Sequence, residues 1–332
     1  MNTFGTYFKV SIFGESHGPA TGVVIDGVKP GLELAEADFS ADIARRKSGA
    51  AGTTPRHEQD VPHILSGVYE GRTTGAPLAI VFENGDTRSA DYARFRDIPR
   101  PGHADFTAAC KFDGNNDPRG GGHFSGRLTL PVVAAGVVAK KMLAGTVGAI
   151  SARLLEIGGE PDETAWPLLL EKTMREGDSL GGIVECTVSG LPTGLGEPFW
   201  DSVESRLAHA VFAIPGVRGI EFGDGFSAAR MKGSEHNDPF LPDDGNDGVV
   251  RPAKNGAGGI NGGLTNGAPV VFRVAFKPTS SIGKPQQTWD FSRKEAVSLS
   301  VPGRHDACFA LRTPVVVEAV TAIVLADFIV TA

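Results

Sequence analysis

Gly67-Val68-Tyr69-Glu70-Gly71-Arg72-Thr73-Thr74-Gly75-Ala76-Pro77 aligns without gaps on Gly259-Ile260-Asn261-Gly262-Gly263-Leu264-Thr265-Asn266-Gly267-Ala268-Pro269. Each copy runs into an apolar stretch that reads as a strand, Leu78–Glu83 or Val270–Lys277. Chance could produce one such match, so the order of the surrounding elements decides. Beyond each strand comes a histidine loop, Pro101-Gly102-His103 or Pro302-Gly303-Arg304-His305. Each loop leads through an arginine, Arg127 or Arg312, into a Pro-Val-Val helix starting near Pro131 or Pro314. Upstream, Gly22-Val23-Val24 and Gly182-Ile183-Val184 begin comparable strand–turn–helix units.

The same elements in the same order imply an internal duplication. The expected organisation is a single domain over 1–332, built of two related halves at about 1–150 and 178–332. Residues at about 151–177, including Glu160–Met174, have no obvious counterpart and are expected to form a helical excursion. In the first half Phe8, Val10 and Ile12 alternate with polar residues as in a strand, and Gly22–Val28 reads as a second strand. Phe39 and Ile43 lie four apart within Leu34–Lys47, the spacing of a helix face. No GxGxxG turn follows the first strand, which disfavours a doubly wound nucleotide fold. The fold class expected is α+β, a sandwich of antiparallel sheets and helices with pseudo-two-fold symmetry. Matching loops then face each other where the halves meet, and a ligand site is expected there.

A net charge of −7 argues against nucleic-acid and acidic-membrane partners. The three cysteines, Cys110, Cys186 and Cys308, form no CxxC, and no signal peptide is read at the N-terminus, so a cytoplasmic protein with reduced thiols is expected. Glu318 and Asp327 interrupt the apolar run from Pro314, which favours a buried helix over a membrane span. No histidine pair has helical metal-ligand spacing, so no metal site is expected.

Phe13-Gly14-Glu15-Ser16-His17-Gly18, Arg100-Pro101-Gly102-His103-Ala104-Asp105 and Gly303-Arg304-His305-Asp306 each put a histidine beside glycine, a carboxylate or an arginine. Imidazole exchanges protons near neutral pH, so these loops are candidates for one acid–base site. A histidine in such a loop either ties it down by hydrogen bonds or faces a ligand. Arg45-Arg46-Lys47 ends a helix, where cations also serve the macrodipole. Arg100 and Arg304 flank candidate histidines, and a guanidinium fork suits carboxylate or phosphate. Arg119-Gly120-Gly121-Gly122-His123-Phe124-Ser125-Gly126-Arg127 precedes a helix, where exposed N–H groups favour an anion. Lys277-Pro278-Thr279-Ser280-Ser281 brings a cation and three hydroxyls to a strand end, which suits a phosphate but is also ordinary turn chemistry.

Taken in order, these segments resemble the chorismate synthase family over nearly the whole chain. Phe13–Gly18 matches the family's FGESHG, Arg100–Asp105 its RPGHAD, Lys277–Ser281 its KPTSS and Gly303–Asp306 its GRHD. Ala139-Lys140-Lys141 and Gly223-Asp224-Gly225-Phe226 match in order as well. The resemblance implies a carbon–oxygen lyase of the shikimate pathway and aromatic amino acid biosynthesis. Its reaction is the anti-1,4-elimination of phosphate from 5-enolpyruvylshikimate 3-phosphate to give chorismate. It further implies a flavoprotein requiring reduced FMN, typically a homotetramer.

By the same resemblance His17 protonates the departing phosphate and His103 sets the protonation state of the reduced flavin. Asp306 assists proton removal through flavin N5, and Ser16 supports as a donor. Arg45, Lys47, Arg100, Arg127 and Arg304 are the implied holders of substrate phosphate and carboxylates. The implied flavin contacts are His123, Phe124, Ser125, Pro215, Gly216, Gly262, Lys277, Pro278, Thr279, Ser280, Ser281 and Arg304. Arg46 matches a position assigned to NADPH in members that reduce their own flavin.

Three departures stand out. His123-Phe124-Ser125-Gly126-Arg127 replaces the family's RSSAR, Ser48–Thr54 lacks a following arginine, and Ile214-Pro215-Gly216 replaces the usual Asn/Gln-Ala contact. They argue for reduced FMN supplied by an external flavin reductase in place of intrinsic NADPH-dependent reduction. A non-catalytic flavin- or metabolite-binding paralogue is the alternative reading. A hydrolase using Ser16 and His17 is more distant, because adjacent residues rarely present nucleophile and base to each other.

Overall fold

The computed structural model describes residues 2–49, 52–54, 58–85, 89–241, 252–301, 303 and 305–329. The first half contains β1 (Thr3–Phe4), β2 (Lys9–Gly14), β3 (Ala20–Asp26), α1 (Ser40–Arg46) and β4 (His63–Ser66). A hairpin of β5 (Val68–Tyr69) and β6 (Arg72–Thr73) leads into β7 (Leu78–Glu83), then α2 (Asp105–Lys111) and α3 (Thr129–Leu143). The second half contains β8 (Ile150–Ile157), α4 (Trp166–Arg175), β9 (Gly182–Val188), α5 (Val203–Val211), β10 (Val217–Phe222) and α6 (Gly233–His236). A hairpin of β11 (Ile260–Asn261) and β12 (Leu264–Thr265) leads into β13 (Val270–Phe276). The hairpin β14 (Gln286–Asp290) and β15 (Glu295–Leu299) and the helix α7 (Pro314–Ile329) complete it.

The duplication is visible strand for strand. One antiparallel sheet has the order β1-β2-β3-β7-β4 and the other β10-β13-β9-β8. Read from β2 and from β8, the two orders are the same, and each half places its small hairpin immediately before the strand beginning at Leu78 or Val270.

Between the sheets lie α3, which packs on β3 and β7, and α7, which packs on β8 and β9. The two helices touch so closely that a Cβ on Gly136 would stand 2.3 Å from the Ala319 Cβ. Alternation supplies the sheet faces of this core: Val270, Phe272, Val274 and Phe276 of β13 are buried, while the residues between them are partly exposed.

α7 is buried along nearly its whole length, as its sequence leads one to expect, and each of its two charges is compensated. Glu318 accepts hydrogen bonds from both terminal nitrogens of Arg45 at 2.7 Å, from Lys140 and from the Ala152 N–H. Asp327 accepts from the N–H groups of Thr6, Tyr7 and Phe8 and pairs with Arg206, tying the N-terminal segment to α7. Among the described residues no helix is long and apolar enough to cross a membrane.

Two expectations are corrected. The 151–177 stretch opens on β8, the edge strand paired with β9, and its helical part is limited to a 3₁₀ turn at Glu163–Ala165 and α4. The register of β8 shifts between Leu154 and Glu156, and this bulge breaks the period-two alternation that marks a strand. The helix expected over Leu34–Lys47 is shorter, a 3₁₀ turn at Glu36–Phe39 running into α1.

Candidate active site

The histidine loops converge on a cavity of about 790 Å³ between the halves. The 3₁₀ turns that precede α3 and α7 both border it, and they carry the repeat-related arginines Arg127 and Arg312. Among the described residues, seven Arg and Lys side chains line the cavity against three Asp and Glu, in a chain whose net charge is −7. That local excess selects for an anionic ligand.

His103 is the best-defined acid–base group. Its Nδ1 lies 2.7 Å from Asp105 Oδ1. Arg100 clasps the same carboxylate through two bonds of 2.8 Å, from Nε to Oδ2 and from a terminal nitrogen to Oδ1. With Nδ1–H donated to Asp105, Nε2 carries the lone pair, and it lies 3.3 Å from where a Cβ on Gly121 would stand. Burial pushes the His103 pKa below the usual imidazole value, with the Arg100 charge adding to it and Asp105 opposing it. Arg100 and His103 together hold the Asp105 carboxyl well below the usual range, outweighing the cost of burial.

Arg100, expected as a substrate ligand, is therefore spent within the protein. Its remaining terminal nitrogen donates to Ser281 Oγ at 3.0 Å, and its guanidinium lies 4.5 Å over the Phe95 ring. Arg127 is likewise engaged, with Asp60, with Asn84 Oδ1 at 3.0 Å and with the Glu83 carbonyl. Arg46 shares Asp60 and donates to Thr129 Oγ1 and to the Gly126 and Arg127 carbonyls. Burial pushes the Arg46 pKa down to about 9, the Arg312 and Arg127 charges adding and Asp60 opposing. Such a residue organises the wall and has few donors left for a nicotinamide nucleotide.

Arg45 is a correction. One residue along a helix turns a side chain by about 100°, and Arg45 points to Glu318 of α7 while Arg46 and Lys47 border the cavity. Lys47 donates to the Gln59 carbonyl at 2.6 Å. Arg304 lies outside the described residues.

His17 stands one layer behind the wall. It is 6% exposed and packs edge-on against Tyr92, with ring centroids 5.0 Å apart. Gly120 and Ser16 form the wall in front of it. A Cβ on Gly120 would lie 2.6 Å from His17 Nε2 and 2.8 Å from Ser16 Oγ, so both polar atoms face the same glycine. The His17 loop is bound to the segment that follows the glycines: Ser16 N–H donates to the Gly122 carbonyl, Ser125 Oγ to Ser16 Oγ at 3.2 Å, and His123 Nδ1 lies 2.8 Å from the Gly14 carbonyl. Since a carbonyl only accepts, His123 Nδ1 carries the proton.

Asp306 is fixed at both oxygens, by the Thr54 N–H at 2.9 Å and an Arg312 nitrogen at 2.7 Å. Lys277 donates to the Gly102 carbonyl at 2.7 Å and to Ser280 Oγ, which clasps the KPTSS loop to the His103 loop. Pro215, Gly216, Phe124, Ser125 and Pro278 to Ser281 line the cavity. Gly262 does not; it sits exposed in the turn between β11 and β12.

Several wall residues escaped the sequence reading. Asp60 carries no motif, nor does Asn84, which stands behind the wall as a partner of Arg127, and Arg218 stands two residues beyond the Pro215-Gly216 pair singled out. Asp105 could have been read as a His-x-Asp partner.

A family model described as chorismate synthase matches residues 8–330. A chorismate synthase from Chitinophaga pinensis is 58% identical over 328 residues, 99% of this chain and 96% of the relative. Those from Korarchaeum cryptofilum and Thermococcus kodakarensis are each 45% identical, covering 98% and 97% of this chain and 96% of each relative. A crystal structure of chorismate synthase matches with a TM-score of 0.76 at 26% identity, over 99% of this chain and 93% of that one.

Proposed function

Since the chain belongs to the chorismate synthase family, we propose that the cavity between its halves is where the family's reaction takes place. That reaction is the carbon–oxygen lyase step that eliminates phosphate from 5-enolpyruvylshikimate 3-phosphate to give chorismate. Nothing in the comparisons favours a non-catalytic paralogue. The observation that carries the placement is the excess of cations on a wall that also holds the His103–Asp105 pair.

The lining suits reduced FMN. Phe124, Phe212 and Phe309 supply aromatic surface beside the cations. Thr279 Oγ1 and Arg312 Nε are buried on this wall with no hydrogen-bond partner among the described residues. His123, Phe124, Ser125, Pro215, Gly216 and Lys277 to Ser281 are its candidate holders. When bound, the reduced flavin supplies electron density reversibly to the reacting ring.

The protein's own groups divide the proton work. His17, with Ser16 beside it, protonates the departing phosphate oxygen, which gains charge as the C3–O bond breaks. His103 Nε2 accepts or returns a proton at the flavin edge, its tautomer held by Asp105. Asp306 assists the removal of the C6 proton. Lys47 and Arg304 bind the substrate's anionic groups, and Arg100 and Arg127 hold the carboxylates and loops that frame them.

In this reading the flavin is reduced elsewhere, by a separate reductase, because the Arg46 donors are committed to Asp60, Thr129 and two carbonyls. Gly262 meets a flavin only if another subunit of a homotetramer brings it there. The test is anaerobic turnover with photoreduced FMN and the enolpyruvyl substrate, with and without NADPH. Phosphate and chorismate should appear in equal amounts without NADPH. Folded protein that releases neither overturns the reading, and turnover of oxidised FMN driven by NADPH alone overturns external reduction.

A further inference from the structure

Among the described residues, Arg218 is the one cation of the wall supplied by a β-bulge. The pairing of β10 with β13 shifts between Val217↔Phe276 and Gly219↔Ala275, which leaves Arg218 without a ladder partner. A bulge re-aims the side chain of its extra residue, and here Arg218 borders the cavity. Lys277 follows β13 immediately, its N–H bonded to the Gly216 carbonyl at 2.9 Å, so the two cations arise from adjacent points of one strand pair. They interact: after burial, the Arg218 charge is the second cause lowering the Lys277 pKa.

The other arginines described on this wall are compensated. Arg46 and Arg127 share Asp60, Arg100 holds Asp105, and Arg312 holds Asp306. Among the described residues no carboxylate lies within ion-pair distance of Arg218 or Lys277. The Lys277 ammonium meets only neutral acceptors, the Gly102 carbonyl and Ser280 Oγ. Two neighbouring cations without a counter-ion repel each other, and a doubly charged anion relieves that repulsion. The apolar side chains of Ile214 and Pro215 border the same edge, so part of the anion's solvent shell is replaced by protein.

We propose that Arg218 and Lys277 together clamp a phosphate monoester dianion at this edge of the cavity, with Arg218 the residue that sets its charge preference. The proposal rests on reading the cavity as the reaction site. Two molecules could present that group, the flavin nucleotide through its terminal phosphate and the substrate through its 3-phosphate.

The experiment titrates wild type, Arg218→Gln and Arg218→Lys with FMN and with riboflavin by flavin fluorescence, alongside substrate KM at saturating reduced FMN. Thermal melts confirm that each variant is folded. Loss of one charge-assisted fork should weaken FMN roughly 10–100-fold at low ionic strength, leave riboflavin unchanged and be largely restored in Arg218→Lys. A KM increase of that size with FMN affinity intact assigns the clamp to the substrate phosphate. Unchanged FMN affinity and unchanged KM in folded Arg218→Gln overturn it, as does equal weakening of FMN and riboflavin. Loss of FMN selectivity in a protein that never turns over upholds the clamp while the reaction assignment fails.

Discussion

Gly120 lies so close to His17 that a Cβ added to the glycine would stand 2.4 Å from the imidazole Cδ2. Its neighbour Gly121 plays the same part toward His103, with the corresponding distance 3.3 Å to both Cε1 and Nε2. The Gly120-Gly121-Gly122 turn, with φ of +60°, +83° and +54°, is thus a thin partition carrying one histidine on each neighbouring glycine. Its thinness lets both imidazoles pack against adjacent residues of one turn.

Gly120→Ala should therefore displace His17 while leaving the cofactor end of the cavity unchanged. Turnover is expected to fall about 10²-fold or more, the scale of a lost general acid, with FMN affinity within about twofold because no flavin-side cation is touched. Direct removal, His17→Ala or His103→Ala, should cost about 10²–10⁴-fold. Steady-state phosphate release beside a fluorescence titration checks both numbers. Near-normal turnover in Gly120→Ala would show that the partition tolerates thickening.

The pH behaviour of His103 follows from its burial. Its folded pKa lies below the unfolded value of roughly 6.5, so the neutral imidazole is retained into mildly acidic solution. At higher pH both states are neutral and the group contributes no pH dependence to stability. As pH falls through 6.5 the unfolded chain takes the proton first, and stability declines. Asp105→Asn removes the nearby charge that opposes this shift and leaves Arg100 uncompensated. His103 should then titrate at still lower pH, and breaking the buried Arg100–Asp105 pair should cost about 3–5 kcal/mol. An NMR titration of the His103 ring and a denaturant melt read the two effects separately, and an upward shift of the ring pKa would contradict the account.

Arg45→Ala separates a fold role from a substrate role. The guanidinium spans the helix interface to Glu318, whose side chain is 4% exposed and keeps Lys140 and the Ala152 N–H when Arg45 is removed. The melting temperature should drop by roughly 1–2 °C, corresponding to about 1 kcal/mol in a chain of this size. Substrate KM and kcat should stay within about twofold, since no contact with the cavity is lost. A KM increase with an unchanged melting temperature would return Arg45 to the substrate site.

These cases show which features could be read in advance. The strand Leu78–Glu83 and the helix at Pro314 were legible because alternation and unbroken apolarity are local patterns. The duplication was legible because equivalent turns in both halves need glycine, as at Gly67 and Gly259, where φ is +84° and +83°. β8 was not, because its bulge changes the phase of the alternation at Leu155. Asp60 and Arg218 were illegible for a related reason. The importance of Asp60 depends on Arg46 of α1 and Arg127 of the 3₁₀ turn before α3 closing over it, and the aim of Arg218 depends on the register of β10 against β13. The arginines of the motifs were easy to find, but their partners decide which remain available to a ligand.

His123 gives the last test, because it occupies a motif position where the family's arginine is replaced. Its Nδ1–H bonds to the Gly14 carbonyl at the end of β2, three residues before His17. We expect His123→Ala to free that loop end and lower kcat about 10-fold, a loss of about 1.4 kcal/mol that matches one hydrogen bond. His123→Gln keeps a donor and should recover most of the rate, whereas His123→Phe keeps the bulk without the donor and should not. A residue acting chiefly as a flavin contact would instead show its largest effect in FMN affinity. The comparison of kcat with FMN affinity across the three variants therefore decides whether this imidazole serves the His17 loop or the cofactor.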